Sequence, residues 1–295
     1  MNGPSGIGRP RATSAAPTAA APPRDRREEL LAALDEVPPL GPVALRVLEL
    51  LNDPNASAAD LARVVSRDQG LSAKLLRTCN SSFVSPIEPV TSLPQAVVTL
   101  GLRAVRNLVL FDAMPVGKAG GAWTEAEQRI WTHAIGSALG SRLLAMEKGG
   151  VDPELAFLGG LFHDLGRILL LQVRPMTYNA LCGAAAPGLP ERLVEHECLG
   201  ADHTEIGGAV LRRWGMGDEL AAVAERHHND PASLDPLTLL VVAAECLLET
   251  GAEEPPPLHV AAAARIGLVP ARQENLRERL HGALQKEQEF FHLSA

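Results

Sequence analysis

The sequence predicts an all-α protein in which a helical N-terminal subdomain packs on a second helical bundle. Three observations carry this. Of the 295 residues, 46% are hydrophobic and only 3% aromatic, with Ala and Leu abundant, a composition of packed helices rather than sheets. Apolar residues recur at three- and four-residue spacing along most of the chain. Capping residues punctuate those stretches, whereas no segment alternates convincingly as a strand and no internal repeat is visible.

The elements follow in order. Residues 1–24 are rich in Pro, Ala, Gly and Ser and read as a disordered tail, slightly basic from Arg9, Arg11 and Arg24. A first helix is predicted over Arg26–Glu36, ended by Pro38-Pro39. A second opens at Pro42, with Val43, Val47, Leu48 and Leu51 on one face. Ser57 with Asp60 caps a third. Asp68-Gln69-Gly70 breaks the chain before a helix over Leu71–Asn80. Ser85-Pro86 and Glu88-Pro89 mark a loop, and a helix starting at Ser92 is divided by Gly101 from one that reaches Ala113. This half contains no nucleotide loop and no nucleophile beside a base.

Gly117 to Gly121 reads as a hinge, after which Thr124 and Glu127 form a capping box for a helix reaching Lys148. Asp152 and Pro153 start the central stretch, Leu155–Leu171, an apolar helix carrying His163 and Asp164. Burying an imidazole or a carboxylate unpaired is costly, so each needs a partner, a proton or a metal. Gly159 and Gly160, one turn earlier, leave room for another backbone or for ligands from other helices. Pro187 to Pro190 bounds a loop. Further helices are predicted over Glu191–Leu199, from His203 to Trp214-Gly215 with Asp202 as cap, and from Asp218 as cap to His227-His228. Asp235-Pro236 then opens a helix containing Glu245 and closed by Gly251, and two more follow, the last from Arg272 to His292.

The net charge of −8 argues against general affinity for nucleic acid or anionic membranes. No apolar run approaches the roughly 20 residues of a membrane span. Cys79, Cys182, Cys198 and Cys246 form no C-x-x-C pair, which excludes a zinc ribbon and fits a reducing cytoplasm.

Six of the nine histidines lie between residues 133 and 228: His133, His163, His196, His203, His227 and His228. His196 sits in the polar stretch VEHE and reads as exposed. His227 and His228 end a helix, where the dipole alone favours an imidazolium. His203 opens a helix, where that argument fails. Imidazoles on separate helices together with Asp164 are what a metal centre in a bundle requires, because one helix offers few ligands to one point. Neutral imidazole and carboxylate suit zinc, iron or manganese.

The order His, His-Asp, His, His-His, then an acid resembles the HD superfamily of metal-dependent phosphohydrolases, and its two-metal members such as the HD-GYP phosphodiesterases in particular. More closely, the chain resembles the HDOD domain, the HD-related output domain of bacterial signalling proteins. PLGPVALRVLELLNDP, ADLARVVSRDQGLSAKLLRTCNSS and SLPQAVVTLGLRAVRNLVL carry this in the first half; WTHAIGSALGSRLLA, FLGGLFHDLGRILLL, DHTEIGGAVLRRWGM and AAVAERHH carry it in the second. The resemblance implies an HDOD domain over 28–250, made of a helical subdomain (28–115) and an HD-like one (122–250), with 251–295 as a helical extension. It implies His133, His163, Asp164, His203, His227, His228 and Glu245 as ligands of one or two divalent transition metals (Fe, Mn or Zn), and Arg167 as a phosphate contact competing with a plain ion-pair role.

It also implies regulation through signalling partners more often than catalysis, with a nucleotide or phosphate ligand as an option, because HDOD domains commonly lose metal ligands. Three departures from the active pattern point the same way. Glu245 stands where Asp is usual, Arg129 occupies a position acidic in some HD-GYP members, and Asn229-Asp230-Pro231 replaces Gly-Tyr-Pro. The expected function is therefore a cytoplasmic regulatory module with a degenerate HD-type site, the alternative being a metal-dependent phosphohydrolase. The helices of residues 28–115 are too short to be stable alone. Calorimetry should accordingly show one unfolding transition for both halves, and two well-separated transitions would contradict this.

Overall fold

A computed structural model describes residues 23–37, 40–51, 53, 55–80, 88–113, 124–184, 191–248 and 255–294. Among these are fifteen α-helices, one 3-10 turn and no strand. The N-terminal tail to residue 22, Pro38-Pro39, Ser85-Pro86, the Gly117–Gly121 stretch, the Pro187–Pro190 loop and Gly251 lie outside the described residues.

Helix α1 (Pro23–Asp35) opens three residues earlier than expected. It is followed by α2 (Pro42–Leu51), α3 (Ala58–Val65), α4 (Gln69–Cys79) and α5 (Leu93–Ala113). The Ser57–Asp60 capping box starts α3. Asp68 does not break the chain: its carboxylate accepts from the Leu71 amide and caps α4, which begins two residues before the predicted start. The backbone of α5 leaves helical geometry at Gly101. Helices α2 to α5 pack on one another, and α4 meets the C-terminal helix α15 (Pro270–Ser294). Helix α1 packs instead on α8 (Leu165–Val173) and α10 (Glu191–Leu199).

The second half centres on α6 (Glu125–Lys148), capped by Thr124 and Glu127, which lies along α7 (Pro153–Phe162) and also contacts α13 (Pro236–Leu248) and α15. Leu276 and Leu280 of α15 are fully enclosed, so the C-terminal extension contributes to the common core. Helix α9 (Pro175–Ala184) was not anticipated; Pro175 starts it directly after Arg174. Helices α11 (His203–Arg213) and α12 (Asp218–Arg226) form a pair. Gly217, not Asp218, is the cap residue of α12, which places Asp218 inside the first turn, where its charge favours the helix dipole. Helix α14 (Pro257–Arg265) covers α13.

The central stretch is not one helix. It divides into α7 and α8 at His163-Asp164, where Asp164 has φ −102° and ψ 18°. Its carboxylate does not cap α8 and instead points into the protein interior. Taken as a whole, Pro153–Val173 is the one described segment long and apolar enough to span a membrane, against the expectation that no run approaches that length. Of that window, 83% is buried inside the protein, where it forms the core.

Two glycines allow other helices to reach the break. A Cβ on Gly160 would stand 2.5 Å from the Ser137 carbonyl oxygen of α6. A Cβ on Gly166 would overlap the His203 carbonyl at the start of α11. Backbone atoms cannot yield as a flexible side chain can, so Gly166→Ala should destabilise by about 3 kcal/mol or more. Gly282 of α15 has no atom within 4 Å of such a Cβ, so Gly282→Ala should be neutral or stabilising by up to about 1 kcal/mol. Urea unfolding of both variants beside wild type checks the contrast.

Candidate metal centre

All seven predicted ligands converge on the α7–α8 break. His163 is the C-cap residue of α7 and 3% exposed; Asp164 is 5% exposed. His133 comes from α6, His203 from the first turn of α11, His227 and His228 from the end of α12, and Glu245 from α13.

The Asp164 carboxylate faces both ways. Its Oδ1 lies 3.4 Å from Nε2 of His203 and 3.4 Å from Nε2 of His227. Its Oδ2 lies 3.7 Å from Nε2 of His133 and 3.6 Å from Nε2 of His163. Asp164, His203, His227 and His228 thus form one donor set, and His133, His163 and Asp164 a second, with all donor atoms of a set within 4.8 Å of one another. Glu245 joins the second set, its Oε2 3.2 Å from Nε2 of His133.

Hydrogen bonds to the other ring nitrogen set the tautomers. Nδ1–H of His163 donates to the Gly160 carbonyl (2.7 Å), Nδ1–H of His227 to the Ala224 carbonyl (2.9 Å), and Nδ1–H of His203 to the Glu195 carboxylate (2.6 Å). Carbonyls and carboxylates only accept, so each proton sits on Nδ1 and each Nε2 presents a lone pair to the centre. The Nε2 atoms of His133 and His163 are 3.2 Å apart, and those of His203 and His228 3.1 Å. Two lone pairs at that distance repel unless a proton or a cation lies between them. Asp164 Oδ1 and His227 Nε2 are buried without a hydrogen-bond partner. Buried polar atoms normally find partners. Neutral imidazoles, carboxylates and orphaned donor atoms aimed at one space are a fit for a divalent metal.

The electrostatics agree. Burial, opposed only in part by Asp164 and Glu245, pushes His163 down to about 4. Burial, then His227 and His203, pushes His228 down as well. Burial alone would raise the Asp164 carboxyl, but the Arg167 guanidinium and His163 outweigh it and hold it well below the usual range. Burial likewise opposes ionisation of Glu245, and His133, His163 and the Ser137 hydroxyl overcome it.

Arg167 Nε lies 2.9 Å from Asp164 Oδ2, and its Nη1 2.5 Å from Glu191 Oε2, so its guanidinium is engaged in ion pairs while it lines a cavity shared with His133, His163 and His228. Arg129 pairs with Glu125 at the surface, and His196 is exposed as expected. Three contributors were not read from the sequence. Ser137 donates to Glu245 Oε1 (2.5 Å), Glu195 holds His203, and Tyr178 donates to Glu195 (2.9 Å). Ser137 follows His133 by one turn on the same helix face and was legible in principle. Glu195 precedes the exposed His196 and points the other way, which only packing of α10 decides.

With this geometry, the sequence comparison is decisive. The HDOD domain pattern matches residues 37–230, about two thirds of the chain. The chain belongs to the HDOD domain family. Its fold is similar to an HDOD domain protein of unknown function from Geobacter sulfurreducens, with TM-score 0.68 and 21% identity, covering 91% of this chain and 97% of that one. It is also similar to a protein from Shewanella amazonensis SB2B provisionally described as a phosphohydrolase, with TM-score 0.65 and 25% identity, covering 90% and 98%. Among curated proteins, a 124-residue part is 32% identical to ribonuclease Y of Thermosipho melanesiensis, 42% of this chain but 19% of that protein. The chain spans only 19% to 39% of the length of the first curated relatives it matches.

The depressed His163 basicity has a measurable consequence. In chelated protein the unfolded chain takes up the proton near 6.5 and the folded chain only near 4. Stability from this residue is therefore full above about pH 6.5, declines as pH falls through that window, and is lost below about pH 4, by on the order of 3 kcal/mol. Denaturant unfolding of wild type across this range should show the slope, and His163→Gln should reduce it.

Proposed function

We propose that this HDOD protein is a cytoplasmic signalling module that works through protein partners and holds a divalent-metal pair as a structural and regulatory element. The supporting observation is a complete donor set behind a cavity of about 130 Å³. Sites for organic ligands occupy roughly 300–1,000 Å³, so this cavity suits ions and a small anion such as phosphate better than a dinucleotide. One metal would be held by His203, His227, His228 and Asp164, the other by His133, His163, Asp164 and Glu245. A cation there supplies Lewis acidity and lowers the pKa of a bound water. Iron, manganese and zinc all suit these nitrogen and oxygen donors.

Two features favour holding over turnover. Glu245 replaces the shorter acid of active relatives, and Ser137 ties down one of its oxygens. Misplacement of a reacting group by about 1 Å costs around a hundredfold in rate, whereas binding tolerates it better. Arg167 is drawn to Asp164 and Glu191 rather than free for a phosphoryl group. The completeness of the donor set favours a second reading, a metal-dependent phosphohydrolase.

Elemental analysis after reconstitution should find two metals per chain in wild type, one in His133→Ala/Glu245→Ala, and none in Asp164→Ala, which removes the shared ligand. Absence of metal from wild type would sink the proposal. Wild type should turn over cyclic dinucleotides and simple phosphodiesters little or not at all, with activity appearing in Glu245→Asp if the longer acid is the impediment. Robust wild-type turnover abolished by His163→Ala would establish the hydrolase instead.

A further inference from the structure

One buried carboxylate lies beside the donor set, bonded to a ligand without belonging to the set. Glu195 of α10 is 3% exposed. A buried carboxylate is costly unless fully bonded, and this one is. Its Oε1 accepts from the Tyr178 hydroxyl (2.9 Å), and its Oε2 accepts both from the His203 backbone amide (2.9 Å) and from His203 Nδ1–H (2.6 Å). The amide is that of the first residue of α11, where helical N–H groups have no partner within the helix. One oxygen thus grips both the main chain and the ring of a single residue.

Other contacts remove the remaining slack. Arg192, also on α10, pairs with Asp202, the cap of α11, at 2.9 Å, which holds the two helices in register. On the opposite side, Gly166 abuts the His203 carbonyl. His203 is entirely buried, and its Nε2 faces Asp164 Oδ1 and His228.

We infer that Glu195, backed by Tyr178, is a positioning residue of the metal centre that fixes the His203 ring with its proton on Nδ1 and its Nε2 lone pair on the metal side. Its partner is the ligand, not the ion: a carboxylate behind an imidazole orients the ring and raises its basicity. A carboxylate serving only to staple α10 to α11 would be satisfied by the amide and would leave the ring free to adopt either tautomer. The inference rests on the metal-binding reading above, and the test separates the two.

Nitrogen-15 NMR of chelated wild type, which needs no metal, should show His203 as the Nδ1–H tautomer, and an Nε2–H tautomer there would overturn the inference. Glu195→Gln should shift that tautomer signature and weaken manganese(II) binding by about 10- to 100-fold, with a smaller loss in Tyr178→Phe. In a His203→Ala background, Glu195→Gln should cost no further manganese affinity, since both act on the metal through one ring. A fully additive loss would show that Glu195 acts only by general stability, and a tautomer and affinity unchanged in Glu195→Gln would equally refute the idea. If wild type binds no manganese, the metal-centre proposal fails while the tautomer measurement still judges Glu195.

Discussion

An ionised carboxylate lies near the middle of this protein, and the second half of the chain is arranged so that it can stay there. Asp164 is almost fully enclosed, and water contributes little to its solvation. A charge in that position needs compensation from neighbours. Arg167 supplies a full positive charge against Oδ2, and four imidazoles converge on the carboxylate from α6, α7, α11 and α12. The break between α7 and α8 follows from the same need. A continuous helix would carry residues 163 and 164 about 100° apart around one axis, whereas the break turns both into one space.

Charge alone does not bring those helices close enough. The α6 and α11 backbones come against the break only where Gly160 and Gly166 present no side chain. Imidazole orientation is then fixed by groups that carry no chemistry themselves: the Gly160 and Ala224 carbonyls and the Glu195 carboxylate. The rings of His163, His203 and His227 are each held at the far nitrogen and leave the near one for the centre.

Much of this was legible before folding. The capping residues Ser57, Thr124, Asp152 and Asp202 located helix starts, because a cap is a local interaction. The seven donors were recognisable through their order along the chain, and Gly160 through its place one turn before His163. What escaped had non-local causes. The break at Asp164 could not be seen in an unbroken apolar pattern, since the carboxylate forgoes capping α8 for partners brought in by distant helices. Glu195 looked like an ordinary helix residue and Tyr178 lay in a stretch with no predicted helix; only the packing of α9 and α10 brings Tyr178 to Glu195 and Glu195 to His203. The length of Glu245 was readable and the spacing from His133 could suggest Ser137, but not their bond, which joins α6 to α13.

The two close backbone approaches also bear on how such a chain can change over evolutionary time. Gly160 and Gly166 meet main-chain atoms of α6 and α11, and neither contact involves an imidazole or a carboxylate. The docking of the helices and the donors they carry therefore have separate determinants. A descendant could exchange His133 or His228 for inert residues, break up the donor set, and still fold around the same pair of contacts. A substitution at either glycine would disturb both together. Chemistry in this architecture is free to drift away while the scaffold persists, ready for a role that needs only its surface.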